Sequence, residues 1–65
     1  MIMDKIKEMR NKFRVSQHRL ALISGIGRYR ISMAEIGYLI LRDSEIRALE
    51  TALALIEKQQ AEALK

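Results

Sequence analysis

The fold is decided by residues 16–37, which read SQHRLALISGIGRYRISMAEIG. Ser16 belongs to the residue types that cap helix N-termini, and Gly25 to the type that ends helices in the left-handed conformation. Gly27 permits a new helix to begin directly after the turn, and Gly37 provides a second stop. The stretch therefore predicts two short helices joined by a tight turn.

The second of these helices, predicted over residues 28–36, has two different faces. At 100° per residue, Ile31 and Ala34 point in one direction and are expected to pack inward. The opposite arc carries a mixture of basic, aromatic and polar side chains: Arg28, Tyr29, Ser32 and Met33. Two helices that meet at such a turn form a helix-turn-helix, which can place its second helix in the major groove of DNA.

Helical patterns also lie on both sides of this stretch. The apolar residues upstream recur at spacings of three and four: Ile6, Met9 and Phe13. They predict a first helix capped near Asp4. Downstream, Asp43 or Ser44 is expected to cap a long helix that runs to about Leu64. With no proline and three glycines, the chain is predicted to be all-α, with four or five helices.

Residues 38–41 read Tyr-Leu-Ile-Leu, an apolar run where a polar connector is usual. The long helix that follows has an apolar arc of about half its circumference, wider than one small domain needs. We predict that one edge of this arc packs on the first three helices and the other contacts a second copy, so that residues 38–64 mediate dimerisation. The predicted dimer contacts are Leu39, Leu41, Leu49, Ala52, Leu53, Leu55 and Ile56.

Size and charge narrow the classes of function. The chain has 65 residues and no cysteine, so residues 1–65 are expected to form a single domain that gains support from oligomerisation. The net charge is +6 over residues 1–30 and −2 over residues 31–65. A basic front half favours a polyanionic partner.

Catalysis has little support in the sequence. There is no cysteine nucleophile, and His18 is the only histidine, so neither a multi-histidine metal site nor a catalytic site is expected. Gly25-Ile26-Gly27 lacks the third glycine of a dinucleotide site. We therefore predict no enzymatic activity, no cofactor and no metal. No membrane span or signal peptide is evident, so a cytoplasmic, nucleoid-associated protein is expected.

Residues 16–37 resemble the DNA-binding motif of the Cro/phage-repressor (XRE-like) helix-turn-helix family, without a gap over 22 residues. The matching positions are Ser16, Gln17, Leu20, Ala21, Gly25, Ile26, Arg28, Ile31, Ser32, Glu35 and Gly37. The resemblance covers residues 4–37, and Arg10 lies where the family often has an arginine that pairs with the glutamate at the Glu35 position. After Gly37 the chain departs from the family, which usually continues with a polar connector and two short helices.

The resemblance implies roles for individual residues. Gln17 would bind a phosphate or brace the second helix of the motif. The side chains implied to face the major groove are Arg28, Tyr29, Ser32 and Met33, of which arginine can donate two hydrogen bonds to guanine. The implied phosphate contacts are Lys12, Arg14, His18 and Arg30.

These expectations combine into one hypothesis and one alternative. The hypothesis is a transcriptional regulator, a repressor or autoregulator typical of phages and mobile elements, that binds double-stranded DNA at an inverted repeat as a homodimer. Residues 4–37 would be its DNA-binding part. The alternative is a protein–protein interaction module, of the anti-activator or antitoxin type, that uses the apolar face of the C-terminal part.

Overall fold

The computed structural model describes residues 2–63, and over this range the chain is all-helical. Its helices are α1 (Ile2–Lys12), α2 (Gln17–Ser24), α3 (Arg28–Glu35) and α4 (Asp43–Ala63). The predicted all-α class is confirmed, with four helices among the described residues. The predicted end of the last helix at Leu64 lies outside them. Asp4 lies within the first turn of α1 rather than at its cap, because α1 already includes Ile2.

The turn after α1 contains an unusual backbone conformation. The N–H of Val15 donates to the carbonyl of Arg10 and the N–H of Arg14 to that of Asn11, both at 3.0 Å. These two bonds form a Schellman motif, whose left-handed position is usually glycine. Here it is Arg14, with φ +56°, and it is the only non-glycine residue with positive φ among the described residues.

The ends of α2 follow the capping pattern that the sequence predicts. The Ser16 hydroxyl oxygen accepts a hydrogen bond from the Arg19 N–H at 3.0 Å. Gly25 has φ +78°, and its N–H donates to the Ala21 carbonyl. In the turn to α3, the Ile26 N–H donates to the Ser24 hydroxyl oxygen at 3.2 Å. α2 and α3 are thus separated by three residues, 25–27, as the glycine pattern predicts.

α3 is short, and its ends differ in how they are capped. Gly27 precedes α3 and supplies no side-chain cap. At the other end, Gly37 has φ +88°, and the Tyr38 N–H donates to the Met33 carbonyl at 2.9 Å. An isolated eight-residue helix is marginal in water. The position of α3 therefore depends on its contacts with the rest of the chain.

The core lies where α1 and α2 pack against both α3 and α4. Its buried apolar residues are Met3, Ile6, Val15, Leu20, Ile31, Ala34, Leu41, Leu49, Ala52, Leu53 and Ile56. The inward positions predicted for Ile31 and Ala34 are confirmed. Residues 57–63 of α4 are exposed, so the last turns of this helix extend beyond the apolar core, and there Gln60 Nε2 donates to the Phe13 carbonyl at 2.7 Å. None of the helices within residues 2–63 is long and apolar enough to cross a membrane.

The core also corrects the predicted dimer contacts. Most of them are buried inside their own chain: Leu41, Leu49, Ala52, Leu53 and Ile56. The apolar stripe of α4 packs on α1 and α2, and Leu41 is buried just before it, so these five side chains are not available to a second copy. A helical wheel shows which side of a helix is apolar but not which surface covers that side. Of the predicted set, only Leu39 and Leu55 keep exposed surface.

Candidate functional site

The outer face of α3 carries a surface of mixed basic, aromatic and polar side chains. Arg28, Tyr29 and Ser32 line one shallow groove of about 220 Å³. The side chain of Tyr29 is 72% exposed, and Met33 beside it is half-buried. The structure therefore brings together on one face three of the four residues predicted there. The exposed guanidinium and phenol and the half-buried Ser32 hydroxyl can donate and accept hydrogen bonds with a ligand that lies along the helix.

Glu35 anchors the C-terminal end of α3 to α1. Arg10 Nε donates to Glu35 Oε2 at 2.8 Å, and Arg10 Nη2 donates to Glu35 Oε1 at 2.9 Å. Arg10 Nη1 also donates to the Val15 carbonyl at 2.9 Å. The pairing of Arg10 with Glu35 that the family resemblance implies is confirmed. Because a guanidinium fork and a carboxylate match in shape, this pair holds α3 in one orientation relative to α1.

Gln17 joins the same cluster from α2. Its Nε2 donates to Glu35 Oε1 at 3.0 Å. Of the two roles implied for Gln17, the bracing contact is present in the structure. α1, α2 and α3 therefore meet at one carboxylate, whose side chain is only 2% exposed.

The cluster keeps the Glu35 carboxylate ionised. Burial alone would raise the pKa of Glu35, but hydrogen bonds from Arg10 and Gln17 outweigh that effect, and its pKa lies below the ordinary value. Lys7 adds a smaller contribution in the same direction. The negative charge is therefore present throughout the neutral pH range, and so is the anchor that it provides for α3.

Arg30 anchors the other half of α3, to the start of α4. Its Nε donates to Glu45 Oε2 at 2.7 Å and its Nη2 to Glu45 Oε1 at 2.8 Å. Two of its donor groups thus face a carboxylate within the chain. A phosphate contact by Arg30, as the resemblance implies, requires Glu45 to share the guanidinium or release it.

Other basic side chains surround the α1–α2 turn. Lys12, Arg14 and His18 are exposed, and Lys12 Nζ lies 6.0 Å from the centre of the Phe13 ring. Arg14 lines an open groove of about 340 Å³ together with Arg19 and the C-terminal part of α4.

Sequence reasoning missed two of these charged residues, Arg19 and Glu45. For Arg19 a signal existed, because a cation in the first turn of a helix opposes the helix dipole and suggests another role. Glu45 could have been found as the glutamate three residues after Arg42. Its Oε1 accepts a hydrogen bond from the Arg42 N–H at 3.0 Å, as the glutamate of a capping box does.

The connector between α3 and α4 alternates between buried and exposed side chains. Leu39 is half-buried and Leu41 is buried, whereas Tyr38 is 82% and Ile40 is 89% exposed. Ile36 at the end of α3 is exposed as well. An apolar run of this kind is expected to be buried in its own domain or in a partner. Within the chain this holds only for Leu39 and Leu41, because an extended segment turns only every second side chain toward the core.

No protein-family model matches this chain, and neither a curated protein nor a solved structure matches it. Its function is therefore inferred from the arrangement of its own side chains.

Proposed function

We propose that this chain is a sequence-specific DNA-binding regulator of transcription, a repressor or autoregulator that binds an inverted repeat as a homodimer. α2 and α3 act as a helix-turn-helix, with α3 as the helix that enters the major groove. Half-sites would then lie about one helical turn apart, ~34 Å.

The observation that carries this proposal is the outer face of α3. Arg28, Tyr29 and Ser32 line one open groove, while Arg10 and Glu45 anchor the same helix to α1 and α4. Base reading requires side chains that are free to contact the edge of a base. It also requires that the helix carrying these side chains is held in a fixed position. Both features occur in α3, an eight-residue helix with no side-chain cap at its start.

Charge supports the proposal independently. Residues 1–30 carry a net charge of +6, and the basic side chains around the α1–α2 turn are exposed. Contacts from lysine and arginine to phosphates supply affinity and register without reading the sequence. We assign this role to Lys12, Arg14 and His18, and assign base contacts to Arg28, Tyr29, Ser32 and Met33.

The experiment that tests the proposal is selection of bound duplexes from a random DNA pool at near-physiological salt. We expect one palindromic sequence to be enriched. Repeating the selection with Arg28→Ala should weaken the preference at one position of each half-site and leave the others. A folded sample that enriches no sequence overturns the proposal.

A second candidate function is a protein-interaction module, favoured by the exposed Tyr38 and Ile40. Salt dependence separates the two candidates. Binding through phosphates weakens steeply as salt is added, because counterions are released when the complex forms. Docking through apolar side chains changes little between low and physiological salt.

A further inference from the structure

We infer that the second copy docks on the connector between α3 and α4, and not on α4 itself. The docking surface consists of Ile36, Tyr38 and Ile40, here called the connector patch. This inference deepens the proposed function, since it rests on the homodimer that an inverted repeat requires, and it assigns that dimer a surface.

Exposed apolar side chains are concentrated at the connector patch. Three of the six large hydrophobic residues that are exposed among the described residues belong to the connector patch, within a span of five positions. On α4 the only one is Leu55, 46% exposed. The remaining two are Leu22 on α2 and Tyr29 in the groove of α3. A cluster of exposed apolar side chains indicates a contact surface, whereas isolated ones are ordinary.

The shape of the surface beside the connector patch also suits a second copy. Beside the connector patch lies an apolar cleft of about 90 Å³, lined by Met3, Ala34, Leu39, Leu41 and Ile46 together with Gly37 and Ile40. Every side chain in this lining is apolar, so the cleft suits the end of an aliphatic side chain rather than a polar group. In a two-fold pair each copy offers both a protruding side chain and a cleft, and this self-complementarity is what a symmetric dimer needs.

The absence of charge at the connector patch favours a second copy as its occupant. No residue from Ile36 to Leu41 is charged, while the whole chain carries +4. Two copies that each carry this net charge repel each other overall. At the connector patch, which is uncharged, two copies can approach closely without bringing like charges together. A partner recognised through charge would find no complementary group there.

The area of the connector patch predicts how strongly two copies associate. Covering the three side chains buries on the order of 400 Å² on each copy, or about 800 Å² for the pair, somewhat below the usual range of stable complexes. The free dimer is therefore weak, and it forms fully when two copies occupy adjacent half-sites. Because Ile36 directly follows α3, the dimer contact lies at the end of the helix proposed to read DNA and sets the distance between the two α3 helices.

The chain has no cysteine, so single cysteine variants report the contact directly and without DNA. We expect Tyr38→Cys or Ile40→Cys to form an inter-chain disulfide at least about tenfold faster than Leu22→Cys and Leu55→Cys under mild oxidation, because side chains near a two-fold axis meet their own copies. Leu22 and Leu55 are matched controls, since both are exposed aliphatic residues on other surfaces. Equal rates for all four variants overturn the inference.

Sedimentation equilibrium gives a second measurement. We expect Ile40→Lys to raise the dimer dissociation constant by about tenfold or more, and Leu55→Lys to leave it within about twofold. Ile40 is exposed, so this variant should keep the wild-type circular dichroism spectrum. A wild-type chain that stays monomeric up to ~1 mM, or a dimer weakened by Leu55→Lys instead, overturns the inference.

The two proposals fail in different ways. If the connector patch pairs two copies but no DNA sequence is selected, the proposed function fails and the inferred dimer stands. If Ile40→Lys leaves the dimer unchanged while a palindrome is still selected, the inferred surface fails and the proposed function stands.

Discussion

Arg30 on α3 and Glu45 on α4 form an ion pair through two hydrogen bonds, of 2.7 and 2.8 Å. The same carboxylate also accepts the backbone N–H of Arg42. These contacts lower the pKa of Glu45 to about 2, with the hydrogen bond from Arg30 as the largest cause. Together with the pair of Arg10 and Glu35, this pair fixes both halves of α3 to neighbouring helices.

The first prediction concerns acid stability. The pKa values of Glu35 and Glu45 both lie below their ordinary value of 4.5, so the unfolded chain binds more protons than the folded chain in this range. The stability that these carboxylates contribute is complete above about pH 5 and is lost as the pH falls toward 2. We expect the urea midpoint to decrease steadily over this interval.

The control for the acid prediction is Glu45→Gln. This variant has no carboxylate to titrate at that position, so its urea midpoint should fall less between pH 5 and pH 2 than that of the wild type. Glu50→Gln, at an exposed position elsewhere on α4, serves as the matched substitution. If the urea midpoint of Glu45→Gln falls with pH as much as that of the wild type, the Glu45 carboxylate does not contribute to the acid dependence of stability.

The second prediction concerns the anchor at Glu35. Replacing Arg10 with methionine leaves a nearly buried carboxylate without its main partner. We expect a loss of about 2–4 kcal/mol in the free energy of unfolding, measured by urea denaturation. The double variant Arg10→Met/Glu35→Leu should lose less than the single variant, because no unpaired charge remains in it. If the single and the double variant lose the same free energy of unfolding, the unpaired Glu35 charge carries no cost of its own, and the loss comes from the packing of the Arg10 side chain.

The third prediction separates stability from binding at Arg14. Arginine in the left-handed region is strained, whereas glycine is not. We expect Arg14→Gly to raise the free energy of unfolding by about 0.5–1 kcal/mol, after allowing for the greater entropy of unfolded glycine. Under the proposed function the same change weakens binding to every duplex, because a phosphate contact is lost.

Arg14→Ala is the control for this third prediction. It removes the guanidinium but keeps a side chain in the strained position, so it should weaken DNA binding without the gain in stability. If Arg14→Gly is more stable and binds DNA as well as the wild type does, Arg14 makes no phosphate contact.

The fourth prediction concerns base reading by Arg28. We expect Arg28→Ala to lose about 1–3 kcal/mol of discrimination at one base position, measured by competition between duplexes that differ there. Arg47→Ala removes the same charge from an exposed position on α4 and should leave discrimination unchanged. Equal effects of the two substitutions would mean that Arg28 acts only through its charge.

Residue types alone were enough to predict the local structure around the α2–α3 turn. Ser16, Gly25 and Gly37 act within a few residues of themselves, through a capping hydroxyl and through backbone angles that glycine adopts readily. Such signals are local and can be read directly. The inward positions of Ile31 and Ala34 followed for the same reason, since the helical period decides which side chains share a face.

Tertiary structure alone decided what covers each apolar face and which charges pair. The apolar pattern of α4 is equally compatible with a dimer contact and with a core position for Leu49, Leu53 and Ile56. The packing of α4 on α1 and α2 places all three in the core. The pairing of Arg30 with Glu45 joins residues from two helices whose relative position no local pattern encodes. Apolar contact is non-directional, so a hydrophobic pattern predicts that a side chain is covered without naming the surface that covers it.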